Sequence, residues 1–303
     1  MAASRDSGGR AQVGVRHQTI TLLSLTAMLA AGICVAALTA TPLSAAGILP
    51  PANPVANIAP SPDFDASGAC TSIGSDVRCS NPCVSETTGG FPAFDEGQSC
   101  TRYVLRAINA ARATEHVRAM VLPTNWRELT VPEQLFVLAD SERTARGLPP
   151  YLGLNQTLSS TAQRAATLQQ DPQAAVGFPA ATDADGALAA DGTLALSETD
   201  LEADYVWMYD DGWGDSSSRT FNIDCVSASA PGCWGHRDAI LGSYDHQGVG
   251  LHCRTCEMGA GFAIVRGKAS FTDLLERPSA AAPPMFFTWV HDVVPFLQDV
   301  PGR

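Results

Sequence analysis

The chain is short of basic charge. Nineteen Lys and Arg face 31 Asp and Glu, giving a formal net charge of −12 at pH 7. Nucleic acid needs Lys and Arg to neutralise its phosphates, so no nucleic-acid partner is expected. A second long hydrophobic run is missing, which excludes a multi-span membrane protein. Nucleotide and hydrolase signatures are missing too. No G-x-G-x-x-G opens a helix after a strand, and there is no P-loop, H-E-x-x-H or G-x-S-x-G. There is no internal repeat. What is present is 303 residues, 45% of them hydrophobic and 17% charged, enough for one or two domains with a sizeable core.

Residues 1–46 read as an export signal. Arg5, Arg10 and Arg16 precede an uncharged, mostly apolar run over 20–40. Pro42 breaks that run, and Ser44-Ala45-Ala46 offers small residues for cleavage after Ala46. About 20 apolar residues also span a bilayer, so an uncleaved anchor is the alternative and the one membrane contact expected. Cleavage removes three Arg, Asp6 and Cys34, leaving a net charge of −14. It also leaves eight cysteines: Cys70, Cys79, Cys83, Cys100, Cys225, Cys233, Cys253 and Cys256. An even count behind an export signal reads as disulfides formed in an oxidising, extracellular compartment. Cys225–Cys233 is the expected loop staple. Cys253 and Cys256 pair with each other across a tight turn or, as the alternative, form a zinc cluster with His246 and His252. The connectivity of Cys70, Cys79, Cys83 and Cys100 stays open.

Residues 47–67, rich in Pro, Ala and Asn without periodicity, read as a linker. Residues 68–99 form a Cys-rich extension too small for its own core, and 100–303 the main domain. Tyr103, Val104, Ala107, Ile108 and Ala111 predict a helix over 100–118. Thr130 and Glu133 form a capping-box signature for a second helix, which Gly147-Leu-Pro-Pro150 stops. Further helices are predicted over 156–169, 198–210 and 234–241, with 171–196 a long loop or poorly packed strand. Strands are expected at 248–254, 261–267 and 285–290. Helices first and antiparallel strands last make the fold class α+β.

The segment Gly232-Cys-Trp-Gly-His-Arg-Asp-Ala-Ile-Leu241, followed by Gly248-Val-Gly250, resembles a pattern of secreted bacterial CAP-superfamily (SCP-like) domains. That pattern is G-H-R-x-N-I-L with a downstream G-V-G strand. Residues 135–150 look like the family's first helix and its N-x-x-R-x-x-x-G-L-x-P run. Leu158 to Ala166 matches its L-x-x-x-A-x-x-x-A helix, and Trp207-Met-Tyr-Asp210 its W-x-x-E helix with Asp for Glu. The order holds over about 130–267, and Leu122 to Phe136 looks like an actinobacterial branch. The resemblance implies a CAP-like α-β-α sandwich. Its open cleft often holds two His and two acidic residues, which bind a divalent metal in some members. His236 takes the G-H position, Asp210 one acidic position, and Asp191 or Glu198 the other. Arg237 and Trp207 complete the expected cleft.

No His lies between His116 and His236, so the first His of the set is missing. No cofactor is therefore expected; a divalent metal on His236 and Asp210 is the alternative. Plainer readings stand beside these. His236 caps a helix or bonds a carboxylate, Arg143 and Arg237 make structural charge pairs, and Trp207, Trp213 and Trp234 pack. Asp210, Asp211 and Asp215 form a solvated loop rather than a Ca²⁺ site. The function expected is a non-catalytic exported binding module for an extracellular or cell-envelope ligand (lipid, glycan or peptide). The alternatives are a cell-wall or peptide hydrolase using His236 with an acidic partner, and a purely structural or adhesive surface domain.

Overall fold

A computed structural model of the chain describes residues 49–58, 70–73, 76–79, 82–86, 92–94, 97–172, 184–190, 199–214, 222, 225–230, 232–242, 255–265, 268–276 and 284–297. The expected export signal, Asp191, Glu198, Asp215, His246, His252, Cys253 and the expected strand at 248–254 lie outside the described residues.

Two short hairpins come first. Strand β1 (Cys70–Ile73) pairs antiparallel with β2 (Asp76–Cys79), setting Cys70 opposite Cys79. Strand β3 (Val84–Glu86) pairs antiparallel with β4 (Pro92–Phe94). Just before β3, Cys83 is disulfide-bonded to Cys100 in the first turn of helix α1 (Gln98–Thr114). That bond stitches the Cys-rich extension to the main domain. Constraining a loop of this length is worth about 3 kcal/mol in the chain-entropy model.

Helix α1 buries Cys100, Val104, Ile108 and Ala111, one stripe at spacings of three and four. Helix α2 (Val131–Ala145) starts at its capping box: the Thr130 amide donates to Glu133 Oε2 at 2.7 Å. It buries five consecutive apolar residues, Leu135 to Ala139, as a helix packed on more than one side must. Strand β5 (Leu154–Asn155) leads into helix α3 (Gln156–Leu168), whose N-cap Asn155 accepts from the Thr157 and Leu158 amides. Strand β6 (Ala184–Ala190) follows. Helix α4 (Asp200–Tyr209) opens with a second capping box, in which the Thr199 amide donates to Glu202 Oε2 at 2.8 Å. After the seven-residue helix α5 (Gly235–Leu241) come strands β7 (Glu257–Val265), β8 (Lys268–Glu276) and β9 (Met285–Phe287).

One five-stranded sheet runs in the order β6-β8-β7-β5-β9. Residues alternate between its two faces. Gly259 and Gly261 lie under α3 so closely that a Cβ on either would collide with Leu158 or Ala162. Met258 and Ala260, between and beside them, belong instead to the main core with Phe136 of α2, Trp207 of α4 and Ile240 of α5. Helix α3 therefore covers one face, while α2, α4 and α5 share a core with the other. Each fully buried large side chain there contributes roughly 1.5–3 kcal/mol.

The α+β class holds, with two corrections to its order. Strands β5 and β6 interleave with the helices, and β5 pairs parallel to β7, so the sheet is mixed. Strand β8 was not expected. It sits between β6 and β7, buried on both faces, and its Ser270, Thr272 and Asp273 break the apolar pattern of such a strand. The segment 49–58 is no free linker: the Ile58 amide donates to the Tyr209 carbonyl at 2.9 Å, and Tyr205 Oη donates to the Ile58 carbonyl at 3.3 Å. Among the described residues no helix is long and apolar enough to cross a membrane.

Candidate functional site

Helix α4 ends at Tyr209, and the two acidic residues after it go separate ways. Asp210 is the C-cap, fully buried, its amide still bonded to the Val206 carbonyl. Asp211 lies beyond the helix and reaches the start of α5. Its Oδ1 accepts from His236 Nδ1 at 2.7 Å and from Asn222 Nδ2 at 2.7 Å. Its Oδ2 accepts from the His236 amide at 2.9 Å and the Arg237 amide at 3.2 Å. Its backbone carbonyl accepts from the Trp234 amide and from Asn222 Nδ2. A carboxylate has about four acceptor positions, and these bonds fill them.

The turn that delivers the α5 amides is strained. Trp234 stands at φ 65°, in the left-handed region that bulky residues avoid. Such a residue costs of order 1–3 kcal/mol and persists where its surroundings over-determine it. Here the Asp211 carbonyl holds its amide, and its ring fills the space where Gly212 has no Cβ. Arg237 lies over the same ring, 5.6 Å from its centroid.

His236 is the exposed member of the pair: 21% of its side chain reaches solvent against none of Asp211. A carboxylate only accepts, so the bonded Nδ1 carries the proton and Nε2 the lone pair. Burial pushes the Asp211 carboxyl above the usual carboxylate range, against the opposing pull of His236 and the two backbone amides. The arrangement is a fixed imidazole: it can accept a hydrogen bond at Nε2 when neutral and donate when protonated.

A chain of ion pairs backs this joint. Arg237 Nη2 meets Glu115 Oε1 at 2.6 Å, and Glu115 Oε2 meets Arg146 Nη2 at 2.5 Å. Arg146 pairs also with Glu142, which accepts from Arg112 at 3.1 Å and from Tyr209 Oη at 2.9 Å. Burial favours neutral Glu142, but Arg146 and Arg112 hold its carboxyl below the usual range. Burial likewise opposes the Arg146 charge, yet Glu142, Tyr209 and Glu115 hold it firmly protonated. Asp204 and Asp273, fully buried, are driven well above the carboxylate range by desolvation. A cavity of ≈540 Å³ lies beside Glu115, His116 and Arg146, walled opposite by Leu49, Pro51 and Pro54.

The structure thus places the expected residues apart. His236 finds a carboxylate, Asp211, one residue beyond the expected Asp210. Arg237 and Trp207 are buried inside the fold rather than lining a cleft. Arg143 is buried too, bonded to the Pro149 and Ile240 carbonyls. Trp213 is 40% exposed. The Cys225–Cys233 disulfide closes the loop between Asn222 and Trp234, and Cys256 is disulfide-bonded. Asn222, Glu115 and Asn57 carried no motif in the sequence. The adjacent acids at 210 and 211 were the one available signal, and only the exact helix end decides between them.

Among the described residues, a divalent metal held by His236 with Asp210 or Asp211 does not fit. Asp211 has its acceptor positions spent on four N–H donors, one of them His236 itself, and Asp210 is fully buried at a helix end. Among the described residues, the one His/Cys/Asp/Glu grouping close enough for an ion is Cys83, Cys100 and Glu202. Its two sulfurs are bonded to each other.

No protein-family model and no curated protein matches the chain. The solved structure of Schistosoma mansoni venom allergen-like protein 4 matches with 14% identity, over 53% of this chain and 96% of its own, at a TM-score of 0.30. At that score the likeness carries no argument, and the functional reading rests on this chain's own residues.

Proposed function

We propose that the chain is an exported binding module of CAP-like α-β-α type, which holds a small extracellular or cell-envelope ligand against His236. The ligand class is a lipid, glycan or peptide. The observation that carries this reading is the His236–Asp211 pair: a partly exposed imidazole fixed by a fully buried carboxylate with four N–H donors. Fixing a ring in this way lowers the entropy cost of each hydrogen bond it makes to a ligand. The disulfides suit an oxidising compartment. Binding is favoured over catalysis on the side of the nucleophile. The sequence holds no G-x-S-x-G elbow, and Cys83, Cys100, Cys225, Cys233 and Cys256 are committed to disulfides rather than held as thiols.

The second reading is a hydrolase in which His236 is the general base. The same pair favours it, since a carboxylate on Nδ1 sets Nε2 to take a proton. The test is a panel of cell-envelope lipids, glycans and peptides offered to the secreted protein and to His236→Ala. The binding reading expects a saturable ligand whose affinity falls about tenfold or more in the variant, the size of one lost hydrogen bond to a charged or fixed group. Equal affinity of the two proteins for every ligand found would remove His236 from the site.

A further inference from the structure

We propose that residues 49–58 are a latch that positions the His236–Asp211 pair, and that the segment following the export signal is therefore part of the working site. This rests on the pair being the recognition edge.

Three contacts carry the inference. Asn57, buried, accepts from the Gly212 amide through Oδ1 at 2.6 Å, directly after Asp211. Asn53 donates through Nδ2 to Asp238 Oδ1 at 2.8 Å, two residues beyond His236 on α5. The Ile58 amide bonds the Tyr209 carbonyl, two residues before Asp211. The segment thus grips both sides of the joint: the chain leaving α4 and the first turn of α5. Gly212 completes the clamp. A Cβ there would meet Asn57 Oδ1 at 2.8 Å and would overlap the Trp234 ring. Asn57, Gly212 and Trp234 are consequently packed in one stack, and the strained Trp234 backbone is what presents the His236 and Arg237 amides to Asp211. The same segment supplies Leu49, Pro51 and Pro54 to the wall of the cavity beside Glu115. It links that cavity to the joint that carries the imidazole.

The experiment uses the full exported protein and needs no ligand, so a failed ligand screen leaves it standing. First, native-state hydrogen exchange is followed on the unaltered protein. A latch makes Ile58, Gly212, His236 and Arg237 amides open together, with protection within about tenfold of one another, as for a single cooperative unit. Second, the Nδ1–H signal of His236 is followed by nitrogen–proton correlation spectra in the double variant Asn53→Ala, Asn57→Ala. The latch predicts its loss, or an increase of about tenfold or more in its exchange rate, while circular dichroism keeps its native form. Two results overturn the proposal. One is exchange of Ile58 and Gly212 more than about a hundredfold faster than His236 and Arg237, which means separate openings. The other is an unchanged His236 signal in the double variant. If that variant does not fold, the exchange pattern of the unaltered protein decides alone.

Discussion

Replacing Asp211 by Asn tests the joint with the smallest change of shape. The carboxylate accepts from four N–H groups, and an amide has one oxygen. If that oxygen stays on the His236 and Arg237 amides, the new NH₂ faces Asn222 Nδ2 and His236 Nδ1, each 2.7 Å from the present oxygen. Asn222 cannot turn its own amide round without forfeiting its bonds to the Asp211 and Gly232 carbonyls. That contact becomes donor against donor. The His236 contact survives only if the ring moves its proton from Nδ1 to Nε2. The net loss is one hydrogen bond to a charged group, about 2 kcal/mol. For a domain of this size that lowers Tm by roughly 4–8 °C. Calorimetry reads the first effect, and nitrogen–proton correlation spectra of labelled histidine read the tautomer. A variant within about 1 °C of the parent, with the proton still on Nδ1, would refute the reasoning.

Other consequences follow from the same geometry. Glu115→Gln removes the carboxylate between Arg146 and Arg237; Arg146 keeps Glu142, while Arg237 loses its one carboxylate among the described residues, so the change should cost about 3 kcal/mol by denaturant unfolding, and a loss below about 1 kcal/mol would mean the pairs are idle. Asp273 has its carboxyl raised by burial, so its folded form holds a proton that the unfolded chain releases. Its contribution is complete below the unfolded value, near 3.9, and drains away as pH rises through the folded value, at up to about 1.4 kcal/mol per pH unit. Asp273→Asn should therefore gain on the parent as pH rises from 4, and parallel stability curves would contradict this. Peptide mapping of the unreduced protein should recover Cys70 joined to Cys79, because their register sets them opposite in an antiparallel pair, at a Cα spacing that a disulfide spans; any other partner for either cysteine contradicts it.

The legible parts of the fold were those whose signal is local. The Thr130/Glu133 box and the Pro beyond Gly147 bracket α2 because capping is a matter of a few neighbouring residues. The stripe of α1 was equally plain. Strand β8 was hidden because its burial comes from neighbours on both sides and its polar Ser270, Thr272 and Asp273 look like a surface. Composition made 49–58 a linker, since nothing in Pro and Asn reveals that Asn57 will meet an amide 155 positions away. At the site, the Gly-His-Arg segment drew attention to His236, and the carboxylate that His236 bonds is Asp211 rather than the expected Asp210. The helix ends at Tyr209, so Asp210 is its buried C-cap, its amide still bonded to the Val206 carbonyl, and Asp211 is the first residue to turn toward α5. Cys83–Cys100 could not be chosen from four nearby cysteines by spacing alone, because it depends on how the extension docks on α1.

Binding without turnover is the central claim, and product analysis tests it most directly. The protein is held for a day with the tightest ligand from the lipid, glycan and peptide panel, beside His236→Ala, and every product is identified by mass spectrometry. The account predicts a stoichiometric complex with the ligand recovered whole, and weaker retention by the variant. Cleavage of the ligand by the parent, abolished in His236→Ala, would contradict it and make the imidazole a general base.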